Sequence, residues 1–315
     1  RAPDARKRLS YIQREIGILK YHGSPHVVKF VNSFINSDNT TDGYEVCARW
    51  KQCTQVPFRG WMVVVMELVE GHDLGCYSAM RSCSHSKARR GCKRTDGDQV
   101  PHLMSIMEQV LKGLDTLHKN HVIHRDIKPE NIMLGAPNED GTPTVKLIDL
   151  GLSRPLVERN SLLLSHDISS TLYRAPEMVA HNAKGELDFE SGEYRFKVDV
   201  WAAGITFTQL ITPECVLLRD GAVTKKRLLV KLKGCRETVS QLLESDIPNI
   251  PGLADLINSM LERDEKKRPT CAMLLKDLAE VKRKYIAATN AAVSAKWTEI
   301  QELNQTYTAT VGYGI

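Results

Sequence analysis

The sequence predicts an α+β fold in which a few short strands stand apart from long amphipathic helices. Three observations carry this. Trp61–Leu68 (Trp-Met-Val-Val-Val-Met-Glu-Leu) is a near-continuous apolar run of strand length. Between Asn131 and Ile148 the chain spells a β-hairpin, with arms Asn131–Leu134 and Thr144–Ile148. Its turn contains Asn138-Glu139-Asp140-Gly141, and Asp-Gly is a strong turn signal. Around these strands lie segments whose apolar residues recur at helical spacing.

The elements follow in order. Leu9–Tyr21 is a helix, because Leu9, Ile12, Ile16 and Leu19 form one apolar stripe and Gly23-Ser24-Pro25 ends it. Ile35–Gly60 is polar and irregular; its Asp38–Gly43 run resembles the start of a calcium loop. The bidentate Glu such a loop needs is replaced by Arg49, so the stretch reads as a surface loop. After the Trp61 strand, Ser82–Val100 is polar and basic without interleaved aromatics. It reads as an insertion between helices, not a nucleic-acid surface. Leu103–His118 is a helix with Leu103, Ile106, Val110, Leu114 and Leu117 on its buried stripe. Lys197–Ile211 is apolar and helical, with Asp199 near its start. A carboxylate there must find donors, because burying it bare is costly. Cys271–Ile286 is the last amphipathic helix, and Ala287–Leu303 is Ala-rich and helix-prone. In it Trp297 and Ile300 are apolar anchors for packing back on the domain or for a partner. Thr306–Ile315 reads as a loose tail.

Composition sets the class. The 315 residues are 42% apolar and 26% charged, ordinary globular usage, with a mild net charge of +5. Eight scattered cysteines form no C-x-x-C pair, so neither a zinc site nor a redox motif is signalled; reduced thiols in an intracellular protein, cytoplasmic or nuclear, are the expectation. No secretory signal opens the chain, and no uncharged apolar run reaches membrane-spanning length. The chain starts at Arg1 instead of Met, so a fragment is expected.

The chemistry sits on the hairpin flanks. Before it runs His124-Arg125-Asp126-Ile127-Lys128-Pro129-Glu130-Asn131, and after it Asp149-Leu150-Gly151. A hairpin brings its flanks together, so Asp126, Lys128 and Asn131 should face Asp149. Asn131 and Asp149 offer hard oxygen ligands for Mg²⁺. Asp126 can accept a hydroxyl proton, and Lys128 can neutralise a phosphate oxygen.

These residues closely resemble the catalytic loop and metal-binding loop of protein kinases, with Ile127 and Leu150 as apolar-for-apolar replacements. Tyr173-Arg174-Ala175-Pro176-Glu177 resembles the end of a kinase activation segment. Across about Leu9 to Tyr285 the resemblance implies a bilobal kinase-like fold with an incomplete N-lobe and a large, mainly helical C-lobe. The implied divisions are residues 1–69 for the partial N-lobe and 70–286 for the C-lobe, with 287–315 a helical extension and tail. The implied reaction is transfer of the ATP γ-phosphate to a protein Ser or Thr, since Lys128 two residues after Asp126 is the serine/threonine pattern. ATP and Mg²⁺ are the implied cofactors, and a Ser/Thr-bearing protein and an upstream activating kinase the implied partners. Asp126 would orient and deprotonate the hydroxyl, Lys128 would steady the γ-phosphate, and Asn131 and Asp149 would hold Mg²⁺. Thr171 would hydrogen-bond near Asp126 and Lys128. Glu15 would pair with the strand lysine that holds the ATP phosphates; Met66 would limit the pocket behind adenine. Glu67 and Val69 would offer backbone groups to its edge. Arg125 would receive an activation-loop phosphate, with Ser165 and Ser169 as candidate acceptors. Asp199 would cap the catalytic loop from below, and Arg268 would pair with Glu177.

The sequence also departs from the family. Upstream of Glu15 there is neither G-x-G-x-x-G-x-V nor V-A-I-K, and Lys7 lies too near the helix to be the strand lysine. That absence suits a pseudokinase or scaffold that binds partners without chemistry. The intact Asp126, Asn131 and Asp149 suit an enzyme.

Overall fold

The computed structural model describes residues 16–20, 24–37, 44–45, 60–77, 99–155, 173–179, 196–211 and 250–311. The N-terminal part is an antiparallel sheet of β1 (Phe30–Ser37), β2 (Tyr44–Glu45) and β3 (Gly60–Met66), in the order β2-β1-β3. The apolar run from Trp61 is therefore a strand, as its composition dictates. Ile35–Gly60 is not wholly irregular, however: β1 runs through Ser37, and Ile35 pairs with Tyr44. The Asp38–Gly43 loop lies outside the described residues. Of the predicted Leu9–Tyr21 helix, residues 16–20 are described and helical; Glu15 lies outside.

The rest is mostly helical. β4 (His72–Asp73) leads by a short helical turn into residues outside the description, which include most of the basic Ser82–Val100 stretch. Helix α1 (Gln99–Lys119) follows. Leu103, Ile106, Val110, Leu114 and Leu117 are all buried, the stripe that the spacing predicts. Strand β5 (Val122–Ile123) then leads to a 3₁₀ turn, Pro129–Asn131, and to the hairpin β6 (Ile132–Pro137) and β7 (Pro143–Leu147).

The hairpin sits where the sequence places it but with different arms from Asn131–Leu134 and Thr144–Ile148. Asn131 belongs to the turn before β6, and pairing extends to Pro137↔Pro143. Asp140 Oδ1 accepts Thr142 N at 2.9 Å and Oγ1 at 2.6 Å, while Gly141 takes φ 79°, which suits a residue without Cβ. Gln109 on α1 grips β7 from the side. Its Nε2 donates to Pro143 O at 2.8 Å, and its Oε1 accepts Val145 N at 2.9 Å. Val28 N to Leu147 O and Leu147 N to His26 O, both 2.9 Å, join the segment before β1 to the same strand.

Strand β8 (Arg154–Pro155) pairs with β5, and a short helix α2 (Pro176–Val179) follows. Helix α3 (Lys197–Ile211) is buried on almost every side, which its apolar composition all round requires. Helix α4 (Leu253–Met260) packs on it. The last helix, α5 (Cys271–Val311), is 41 residues long. It buries Cys271, Leu274, Leu278 and Val281 against the domain. It corrects the expected tail, since Thr306–Val311 continue the helix. No Gly or Pro interrupts the chain between Cys271 and Gly312, so nothing in the backbone ends the helix sooner. Trp297 and Ile300 do not fold back on the domain; they are 64% and 46% exposed.

Candidate active site

The loop between β5 and β6 is suspended from α3. Asp199 is buried, and its two oxygens accept the backbone N–H groups of His124 (Oδ2, 2.8 Å) and Arg125 (Oδ1, 2.8 Å). His118 Nε2, from the end of α1, donates to the same Oδ2 at 2.9 Å. The buried carboxylate that the sequence required to find donors has found three. Burial opposes its charge, but the hydrogen bond from His118 and its charge outweigh that and hold the carboxyl below its usual range. Arg125 sits at φ 71°, a left-handed conformation that costs a non-glycine residue roughly 1–3 kcal/mol. The charge-assisted bond to its N–H offsets that strain.

His118 has a partner at each ring nitrogen, with Cys271 Sγ 3.6 Å from Nδ1. Burial would depress its pKa. Cys271 and Asp199 overcome this and push it up to about 10. His124, two residues before Asp126, is the opposite case. It is fully buried, and burial holds its pKa below the ordinary value. A neutral imidazole has one donor and one acceptor. Here Nε2 donates to Ile148 O at 3.2 Å and Nδ1 accepts Asp126 N at 3.4 Å. His124 thereby ties the Asp126 loop to the Asp149 loop. Ser153 Oγ completes the tie by donating to His124 O at 3.2 Å.

Asp126 is the meeting point. Lys128 Nζ lies 2.6 Å from its Oδ2. Asn131 Nδ2 donates to Oδ2 at 2.9 Å and to the Asp126 backbone carbonyl at 2.8 Å. The extended backbone at Lys128 and the 3₁₀ turn after it bring these side chains round to one carboxylate. Asp149 joins across the hairpin, since Ile132 pairs with Leu147 and Ile148 N donates to Asn131 O at 3.0 Å. Asp149 takes φ 62° and is exposed, with Gly151 N donating to its Oδ1 at 3.3 Å.

The donor set fits a magnesium ion. Asn131 commits its NH₂ to Asp126, which turns its Oδ1 the other way as an oxygen donor. Asp149 adds an exposed carboxylate one residue beyond the backbone bond to Asn131. Among the described residues no three His, Cys, Asp or Glu side chains gather into a cage. Magnesium needs none where one or two protein oxygens are completed by phosphates and water.

The segment after β3 is more constrained than its sequence suggests. Glu67 N–H donates to Lys29 O at 2.9 Å, so that backbone donor is already engaged. The Glu67 side chain accepts Lys29 N at 2.7 Å and Lys146 Nζ at 2.6 Å. Partial burial raises its pKa, but these donors outweigh it and bring the pKa below the usual carboxylate value. The pair fastens the segment to β7. Met66 is 39% exposed in the described structure, which does not enclose it. Val69 is half-buried, and two residues on, a Cβ at Gly71 would lie 1.7 Å from Leu134 O. Only glycine allows that approach. Glu15, Thr171, Ser165 and Ser169 lie outside the described residues.

Arg268 pairs with Glu177 as expected, at 2.6 Å (Nη1–Oε1) and 3.1 Å (Nη2–Oε2). The guanidinium also donates to Lys197 O and Glu262 O, and its Cζ lies 5.1 Å from the centroid of the Trp201 ring. Sequence reasoning missed His118, His124 and Gln109. A histidine directly before Arg125-Asp126 and another at the end of the preceding helix were the visible signals.

The site is thus two acidic loops clasped across a hairpin within a mainly helical α+β domain. The chain belongs to the protein kinase domain family, whose model matches residues 2–278. Among similar proteins is Mitogen-activated protein kinase 10 of Arabidopsis thaliana, 31% identical over 188 residues, covering 53% of this chain and 44% of that protein. Serine/threonine-protein kinase Nek4 of Mus musculus is 27% identical over 222 residues, covering 68% and 24%. The MRK1 homolog of Encephalitozoon cuniculi, named a serine/threonine-protein kinase, is 26% identical over 285 residues, covering 84% and 74%. The chain thus spans less than half the length of the first two relatives.

Proposed function

We propose that this domain transfers the γ-phosphate of ATP to a serine or threonine hydroxyl of a protein substrate. The observation that carries the reading is the convergence of Lys128 and Asn131 on the Asp126 carboxylate, with Ile148, the residue before Asp149, bonded to Asn131 across the hairpin. A scaffold that only bound partners would have no use for that convergence.

Asp126 is held in orientation by Lys128 and Asn131 and accepts the proton of the attacking hydroxyl. As the hydroxyl oxygen bonds to the γ-phosphorus, the bond to the ADP oxygen breaks. Lys128, 2.6 Å from Asp126, offsets charge on the transferred phosphate. A magnesium ion held by Asn131 and Asp149 would neutralise the phosphate oxygens. His124 keeps the two loops in register, and Asp199 keeps the first in its strained conformation. The resemblance to the family alone assigns Thr171 a hydrogen bond near Asp126 and Lys128, and Glu15 the pairing with a phosphate-holding lysine. Met66, the Glu67 carbonyl and Val69 bound the adenine. Residues 1–69 and 70–286 are the two lobes. An upstream kinase and an intracellular setting, in cytoplasm or nucleus, complete the picture. Among the described residues no helix is long and apolar enough to cross a membrane.

The test is phosphate transfer from radiolabelled Mg-ATP to a generic Ser/Thr substrate by the full-length protein. Asp126→Asn should lower kcat by roughly 10²–10⁴ while leaving nucleotide binding intact. Activity that survives Asp149→Asn would sink the metal-site assignment.

A further inference from the structure

Helix α5 leaves the domain at Tyr285. Lys282 is its last residue with a described ion pair to the domain, to Glu108 on α1, and Tyr285 is the last to pack against the core. Every side chain described from Ile286 to Glu302 is exposed. Yet the helix runs on to Val311, ~39 Å of helix beyond the domain at 1.5 Å per residue. A helix of that length, containing Thr289, Ser294 and Thr298, draws its stability from burying a face, and among the described side chains from Ile286 to Glu302 the domain buries none.

The face is present. Ile286 (56% exposed), Val293 (59%), Trp297 (64%) and Ile300 (46%) stand in one row. With Asn290 the spacing alternates four and three residues: 286, 290, 293, 297, 300. In the sequence it continues through Asn304, Tyr307 and Val311. An alternating repeat of this kind is a coiled-coil seam, where Ile286, Val293 and Ile300 take d positions and Asn290 and Trp297 take a positions. Charges avoid the seam. Glu299 and Glu302 fall at c and f, and Lys296 at g.

We propose that α5 beyond Tyr285 pairs with the same segment of a second copy of this chain, as a parallel two-stranded coiled coil in register. Asn290 chooses the occupant. A buried amide needs a partner that both gives and takes hydrogen bonds. A parallel copy in register sets Asn290 against Asn290, and Asn304, two heptads on, repeats the requirement. An antiparallel copy would set these amides against apolar d residues. One asparagine at an a position is enough to fix register and strand number. The same register sets Lys296 against Gln301 of the second copy, so no like charges meet.

The experiment is sedimentation equilibrium of the full chain over a wide concentration range. A mass of two chains is expected. Val293→Glu with Trp297→Glu should weaken pairing at least ~100-fold by putting charge in the seam. Because both positions are exposed, the melting temperature of the domain at low concentration should not move. Ile300→Cys should form, under mild oxidation, a disulfide between the two copies of residue 300 itself, identified by peptide mass spectrometry, since a d residue faces its own copy only in a parallel arrangement. A single-chain mass at every concentration, association untouched by the double glutamate variant, a mass of three or four chains, or no Ile300→Cys link would each overturn the proposal. So would a helix of another protein that binds this segment while the chain alone stays single.

Discussion

Asn131 Nδ2 contacts Asp126 twice, at the backbone carbonyl (2.8 Å) and at Oδ2 (2.9 Å). One side chain thus sets the orientation of the proposed base and still carries an amide oxygen that could ligate a metal ion. Asn131→Ala should remove both functions and lower kcat by at least ~10²-fold, in line with loss of a positioned polar group at a charged site. Asn131→Asp is the sharper test. It restores an oxygen donor but places a second carboxylate against Asp126, so activity should stay low and its pH optimum should rise. A variant with unchanged kcat would show that the contact is incidental.

Arg268 is fully buried beside Glu177, with its other donors on backbone carbonyls. Removing one partner of such a pair leaves a bare charge, at a cost of about 3–5 kcal/mol. Arg268→Ala should therefore lower stability by that amount in urea unfolding. Glu177→Gln should do so by less, because the Glu177 side chain is 13% exposed and its amide can still accept.

His118 gives stability a pH dependence. Its folded pKa, about 10, lies above the ordinary histidine value. Below about pH 6.5 both folded and unfolded states carry the proton, and the pairing with Asp199 is fully present. As pH rises the unfolded state loses its proton first, so this stabilisation fades and is lost as pH passes the folded value. Denaturant unfolding between these limits should show stability falling with pH, and His118→Gln should flatten the slope by at least ~1 kcal/mol overall. Equal slopes would mean that His118 is not charged in the fold.

Gln109 meets both Pro143 O and Val145 N on β7, the strand that leads to Asp149. Gln109→Leu keeps the volume but leaves a buried N–H unpaired, at a cost of about 1–3 kcal/mol. Hydrogen exchange at Val145 should accelerate in this variant, while exchange in α4, which packs on α3 and α5, stays as it was.

The cluster proposed for the chemistry was legible in the sequence because its members are close together along the chain. Asp126, Lys128 and Asn131 fall within six residues, and a hairpin with an Asp-Gly turn returns the chain to Asp149. Local turn chemistry fixes that geometry, so spacing was enough. The α1 stripe was legible for the same reason, as a period of the helix. What holds the site was not. His118 lies 81 residues from Asp199, Gln109 lies 34 from Pro143, and His124 lies 24 from Ile148. No periodicity links such positions, and the opposite pKa shifts of the two histidines depend on which partners burial brings to each ring.

The sequence by itself settled the fold class, the family and the cluster around Asp126, because each is written in local pattern. Only the tertiary structure decided which side chains suspend that cluster, that Glu67 binds Lys146 and its N–H binds Lys29, and that the last helix stands clear of the domain with an apolar row exposed. Those outcomes depend on packing between segments far apart in the chain, where burial and hydrogen bonding set partners that spacing cannot specify.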